Sequence, residues 1–236
     1  MSENYELRFS NRMIIIPFIM VFVIWFIYWI EIKFGLNFNK YGIFPRAISG
    51  LKGILFSPFI HSSISHLFNN SIPLIVLSSL LFYFYREVAL KVFIYGGFLS
   101  GFLTWLIGRE SYHIGASGIV YLLFGFVLFS GILKKHFRLV AVSLVVIFLY
   151  GSMVWYLFPV KKGISWEGHL SGFIFGFIFA LLYRKQGIMK EKYVFSKNEF
   201  DDRFDENGNY IPVDNDHEKA DTNTIKYNYI YKEDSK

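Results

Sequence analysis

Cysteine is absent from the 236 residues, which excludes a disulfide framework, a thiolate metal site and a thiol nucleophile. Charge is scarce too. Asp, Glu, Lys and Arg make up 18% of the chain, against about a quarter in a soluble domain. Hydrophobic residues fill the space, at 54% with 21% aromatic, and mean hydropathy is +0.39. They come in long runs that recur along most of the chain. This pattern disfavours a soluble enzyme, and it disfavours a single-pass anchor more strongly.

The few charges divide the chain. Residues 1–190 hold 17 Lys/Arg and 6 Asp/Glu, whereas residues 191–236 hold 7 and 12. The basic excess of the front part does not imply nucleic acid, because its Lys and Arg sit between apolar runs, where membrane topology explains them. The acidic rear part is rich in Asn and Asp and has no hydrophobic period. It reads as a mostly disordered, water-exposed tail. The expected domains are a short N-terminus (1–12), a six-span membrane domain (13–190) and this tail (191–236).

Six apolar segments can be drawn, at roughly 13–32, 65–85, 91–108, 115–133, 139–158 and 167–183. About 20 residues cross the hydrocarbon of a bilayer, with about 17 as the lower end. The first run is too long for a signal peptide and has no small-x-small cleavage pattern after it, so it reads as a retained span. Lys and Arg crowd the span ends on one side: Arg8 and Arg12, Arg86 and Lys91, Lys134, Lys135 and Arg138, and Arg184, Lys185 and Lys190. By the positive-inside rule, both termini are expected in the cytoplasm of a multi-pass protein of the cell membrane. The connection 33–64 is too apolar for a solvated loop. Phe56, Pro58, Phe59 and Ile60 have only Lys52 for company. It is expected to lie in or on the outer leaflet as short helices or a re-entrant hairpin.

Polar groups inside spans are costly unless paired, and mark function by default. His61, His66 and Asn70 sit at the start of span two, Ser117 at the start of span four and His169 at the start of span six. Spans two, four and six run in the same direction, so these residues share one level, a turn or two below the outer surface. Ser117 alone could bond a carbonyl of its own helix. Gly115 and Gly118 argue for more: they leave its backbone lightly covered, and a helix start offers unpaired N–H groups to an oxyanion. His169 is the matching base. Gly168, Gly172 and Gly176 recur every four residues, a face that lets two spans touch at backbone distance. Packed against span four, it brings His169 within about 3 Å of Ser117. His66 and Asn70, four apart, share one helix face and can both donate to a developing negative oxygen. Tyr121 lies one turn below Ser117, either stacked under His169 or an ordinary interior aromatic. No Asp, Glu or Cys inside a span backs His61, His66 and His169 as metal ligands, so neither a metal nor another cofactor is expected.

The segments HSSISHLFNN, GASGIVY and EGHLSGFIFG, in this order and placement, resemble the rhomboid family of intramembrane serine proteases over about residues 13–185. The resemblance implies an all-α membrane protein with a six-helix core and a membrane-associated first outer loop. It implies Ser117 as nucleophile, His169 as base, and His66 and Asn70 as oxyanion-stabilising side chains. It further implies Tyr121 beneath the histidine and His61 bracing the first loop. Two departures stand out. Gly168 replaces the alanine many members have before the catalytic histidine. Arg46 has no neighbouring Trp to form the first-loop Trp-Arg pair. The implied activity is hydrolysis of peptide bonds in or near transmembrane segments. The implied partners are transmembrane protein substrates and the bilayer, with oligomeric state open. The competing reading is a non-catalytic binder or escort of membrane helices. A transporter would more often carry buried carboxylates or broken helices in two half-repeats, and neither is present.

Overall fold

Backbone groups have no water to pair with in lipid, so apolar runs of this length must satisfy them internally as helices. A computed structural model describes residues 9–189 and 200–211 and is helical throughout, with only isolated β-bridges among the described residues. The helices are α1 (Arg12–Lys33), α2 (Ile64–Phe84), α3 (Ala89–Ile107), α4 (Ser117–Lys134), α5 (Phe137–Leu157) and α6 (Trp166–Leu182). The first five are long and apolar enough to cross a membrane, and α6 is an apolar helix of 17 residues. A π-helical turn, Val92–Gly96, interrupts α3. The last part of α5, Gly151–Leu157, tightens into 3-10 geometry.

The fourth helix begins two residues later than the apolar pattern predicts. Gly115 has φ +107°, which no right-handed helix accommodates, so the helix starts at Ser117. Side chains cap two other starts. Ser63 accepts the N–H of His66 at 3.1 Å before α2, and Ser165 accepts that of Gly168 at 3.3 Å before α6.

The central helix is α4, with 61% of its span buried, compared with 11% for α1 and 17% for α5. Leu122, Leu123, Phe124 and Phe126 of α4 are fully buried. Its most extensive neighbour is α6, followed by α5 and α2. Lipid tails are as apolar as these side chains, so close packing and hydrogen bonds must hold the helices together. At the α4–α6 contact, a Cβ on Gly172 would stand 2.1 Å from the Gly118 carbonyl oxygen, and one on Gly176 would stand 2.5 Å from that of Leu122. The two helices therefore touch backbone to backbone. Gly168 lies at the N-terminal end of this row, where its added Cβ would meet the Ser165 hydroxyl at 2.8 Å and Thr104 of α3 at 3.8 Å. Hydroxyls link other pairs. Ser143 of α5 donates toward the carbonyls of Val127 and Leu128 on α4, at 3.1 and 3.0 Å. Ser71 of α2 accepts from the Trp25 indole of α1 at 2.9 Å.

The connection between α1 and α2 consists of short turns: Asn39–Tyr41, Ile48–Gly50, Gly53–Phe56 and Ser57–Phe59. They press on one another closely enough that a Cβ on Gly53 would lie 2.2 Å from the Gly42 carbonyl. Arg46 donates to the Gly108 carbonyl at 2.7 Å, and the Trp105 indole of α3 donates to the Ala47 carbonyl at 2.9 Å. A tryptophan thus reaches this loop from another helix, with no neighbour in sequence required. Ile48, Leu55 and Phe56 stay exposed, an outward apolar face on a non-spanning segment.

The chain divides into two compact units at Glu191 and Lys192. In the second, residues 200–211 form a tight turn. Phe204 and Tyr210 pair as a bridge, and the Asp205 carboxylate accepts the N–H groups of Asn207 and Asn209 at 2.9 and 2.7 Å. These residues are largely exposed. The rest of the predicted tail, and residues 1–8, lie outside the described residues.

Replacing Gly172 with Ala is expected to lower stability by about 1–3 kcal/mol, because the methyl group meets a backbone carbonyl that cannot step aside. The unfolding midpoint in detergent checks this, with Gly151→Ala as a control, where an added Cβ makes ordinary contact at 3.6 Å with a side chain.

Candidate active site

Backbone contact between α4 and α6 brings their N-terminal ends together. The His169 ring nitrogen Nε2 lies 3.0 Å from the Ser117 hydroxyl. His169 is buried, and its other ring nitrogen, Nδ1, lies 3.0 Å from the backbone carbonyl oxygen of Tyr156 on α5. A carbonyl can only accept, so Nδ1 carries the proton. That leaves Nε2 with a free lone pair toward Ser117, the arrangement a general base requires. The Tyr121 ring lies parallel to the imidazole, with centroids 4.1 Å apart and planes 11° apart. Its hydroxyl donates to the Met153 carbonyl at 2.8 Å. The imidazole is therefore held on one edge by α5 and on one face by α4.

Ser117 opens α4, so its N–H has no carbonyl within the helix to donate to. Gly115, two residues earlier, carries the chain past His66. A Cβ at Gly115 would lie 2.6 Å from His66 Nε2 and 3.7 Å from the Asn70 amide nitrogen. Only glycine fits here, for both its φ and its neighbours. His66 is steadied by the Ser62 hydroxyl, 3.2 Å from Nδ1, and the Asn70 amide donates to the His66 carbonyl at 3.0 Å. His66, Asn70, Ser117, Tyr121 and His169 all line one cavity of about 1160 Å³. Ser62, Ser63 and Ser65 line it too, as do Pro73 of α2 and Tyr150 and Met153 of α5. It is large enough for an extended peptide segment together with water.

His61 is buried behind this wall. Its Nε2 accepts the Ala116 N–H at a long 3.5 Å, and its ring meets that of His66 edge-on at 5.0 Å. Gly118 lies against α6, where a Cβ would make ordinary contact with the Gly168 carbonyl at 3.6 Å. The polar residues singled out from the sequence therefore gather around the N-terminal ends of α2, α4 and α6, with Gly172 and Gly176 further along the α4–α6 contact. Among the described residues no group of three or more His, Cys, Asp or Glu side chains could hold a metal ion.

The Tyr156 carbonyl is the part that sequence reasoning missed. It has no side-chain signature and sits 13 residues before His169 on a helix that only folding brings near. The loop before α4 was missed as well, with Arg109 reaching Glu167 and His113 reaching Ser165. His113 stands within the same HIGASGIVY stretch as Ser117, so proximity in sequence was the available signal.

Burial, reinforced by His66, lowers the His61 pKa from 6.5 to about 4. Below pH 6.5 the unfolded chain binds a proton that the folded chain resists, so this group makes stability fall as pH drops from about 6.5 toward 4, with no further loss below. The unfolding midpoint measured across that window should slope downward with acid, and the slope should flatten in His61→Asn.

The chain matches the Rhomboid domain family over residues 49–186. It is 35% identical over 161 residues to an uncharacterized protein of Mycobacterium tuberculosis, covering 63% of this chain and 65% of that protein. A similar protein of Mycobacterium leprae is 34% identical over 158 residues, covering 60% of this chain and 61% of the other. The matched region thus spans a little under two thirds of these relatives. With a family match across more than half its length and apolar helices of spanning length, the chain is a multi-pass membrane protein that belongs to the rhomboid family.

Proposed function

We propose that the chain is an intramembrane serine endopeptidase that hydrolyses peptide bonds in or near transmembrane segments. The observation that carries this reading is the 3.0 Å approach of His169 Nε2 to the Ser117 hydroxyl, with Nδ1 already committed to the Tyr156 carbonyl. His169 takes the hydroxyl proton as Ser117 Oγ attacks the substrate carbonyl carbon. The oxygen that becomes negative is stabilised by the Ser117 N–H, His66 and Asn70. His169 then protonates the leaving amine. Water repeats the sequence on the acyl-enzyme and regenerates Ser117. The dyad needs no carboxylate, because a backbone carbonyl orients the imidazole and the Tyr121 ring fixes its plane.

Residues of both α2 and α5 line the cavity, which supports substrates that arrive between these helices, from within the bilayer. A transmembrane substrate must unwind locally to lay an extended segment across Ser117, so helix-weakening residues near the cut are expected. Small residues at the cut suit the space beside Gly115 and Ala116. The Lys and Arg flanks favour a cell-membrane protein with both ends in the cytoplasm and the cavity opening on the opposite side.

In lipid vesicles without added metal, the intact chain is expected to cleave a model single-span substrate. Ser117→Ala is expected to lower the rate by about 10⁴-fold or more, and His169→Ala by a comparable factor. Comparing folded samples of the three on the same substrates checks this. Equal cleavage by all three contradicts the dyad. Substrate binding that survives Ser117→Ala, with no cleavage by the intact chain, favours the escort reading instead.

A further inference from the structure

Ser117 and His169 each follow an irregular segment. The outer loop between α3 and α4 leads to one, and the loop between α5 and α6 leads to the other. Loops are ordinarily the more mobile parts of a fold, yet the reacting atoms must hold a spacing near 3 Å. His113 joins the two segments. Four residues before Ser117, its side chain is only 4% exposed. Its Nδ1 lies 2.5 Å from the hydroxyl of Ser165, four residues before His169. Its Nε2 lies 3.1 Å from the Arg109 carbonyl oxygen.

The protons can be assigned. The Arg109 carbonyl only accepts, so Nε2 carries the hydrogen and Nδ1 accepts from the Ser165 hydroxyl. The same Ser165 oxygen accepts the N–H of Gly168 at 3.3 Å, and the Ser165 carbonyl accepts that of His169 at 3.2 Å. One unbroken chain of hydrogen bonds therefore runs from the Arg109 carbonyl through the imidazole to the first turn of α6. Burial holds the His113 pKa below its ordinary value, in keeping with this neutral form. The backbone of His113 is anchored as well: its N–H donates to the Ile43 carbonyl at 2.8 Å, and its carbonyl accepts from Ile43 at 3.0 Å. A parallel link runs beside it. The Arg109 N–H donates to Glu167 at 3.2 Å, its guanidinium stands 3.5 Å from the same buried carboxylate, and it donates to the Ile164 carbonyl at 2.6 Å.

We propose that His113 is a positioning residue, which through Ser165 locks the loop before Ser117 to the start of α6 and so fixes the spacing of Ser117 and His169. Its ring nitrogens bond Ser165 and Arg109 and neither Ser117 nor His169. The catalytic consequence rests on the protease reading, whereas the structural lock does not. Misplacement of reacting groups by about 1 Å can cost about a hundredfold in rate.

The test uses the full chain in lipid vesicles with His113→Ala, Ser165→Ala, the double variant and Ser165→Thr, which keeps the hydroxyl. Cleavage kinetics and hydrogen exchange are read on the same samples. His113→Ala is expected to lower kcat about 10- to 100-fold with KM little changed, and the double variant to be no worse than the poorer single variant. Ser165→Thr should recover most of the Ser165→Ala loss. Exchange should quicken both in residues 113–117 and in residues 165–169. Unchanged exchange in either segment overturns the proposal, as does a kcat loss that only follows the folded fraction. If the intact chain cleaves nothing, the protease reading fails, while the paired change in exchange still decides the lock.

Discussion

Everything at the candidate site depends on two backbones touching inside a medium that does not push helices together. Water drives apolar faces together in a soluble protein, but lipid offers no such force, so helix association falls to dispersion contacts and hydrogen bonds. Gly172 and Gly176 provide the contact by removing the side chains that would hold α6 away from α4. Their row brings the N-terminal end of α6 against that of α4. With the backbones this close, a histidine on one helix reaches a serine on the other at hydrogen-bond distance. A methyl group in this row separates the helices and the reacting atoms together.

A second constraint follows from the first. A polar group buried among apolar helices must be satisfied from within the protein. Four side chains at the site have such a partner. His169 has the Tyr156 carbonyl, Tyr121 the Met153 carbonyl, His66 the Ser62 hydroxyl, and Asn70 the carbonyl one turn back. The Tyr156 carbonyl thereby sets which nitrogen of the His169 ring donates. The polarity that makes chemistry possible in a bilayer is thus tied to orientation. The large cavity beside these groups leaves open space where the surrounding helices leave none.

Much of this was legible in the sequence. Apolar runs of spanning length mark helices whatever their neighbours do, and the observed bounds differ from the pattern by a residue or two. Parity placed His66, Asn70, Ser117 and His169 at one depth, because alternate spans run in the same direction. The four-residue glycine spacing indicated which face of α6 packs. What remained hidden belongs to interactions without a side-chain signature or a regular spacing. The Tyr156 carbonyl is backbone and could be any residue. Glu167 reads as a charge at a membrane edge, and only the folded loop brings Arg109, 58 positions away, against it. Trp105 reaches the first loop from α3, where a search for a neighbouring Trp-Arg pair finds nothing. The late start of α4 comes from a positive φ at Gly115, which the apolar run does not reveal.

The most direct measurement is to locate by mass spectrometry the adduct that a fluorophosphonate probe forms on the intact chain in lipid. If helix packing in the membrane makes Ser117 a nucleophile activated by His169, one adduct is expected, on Ser117, and it should vanish in His169→Ala. An adduct on a different serine, or one on Ser117 that persists without His169, would contradict that assignment.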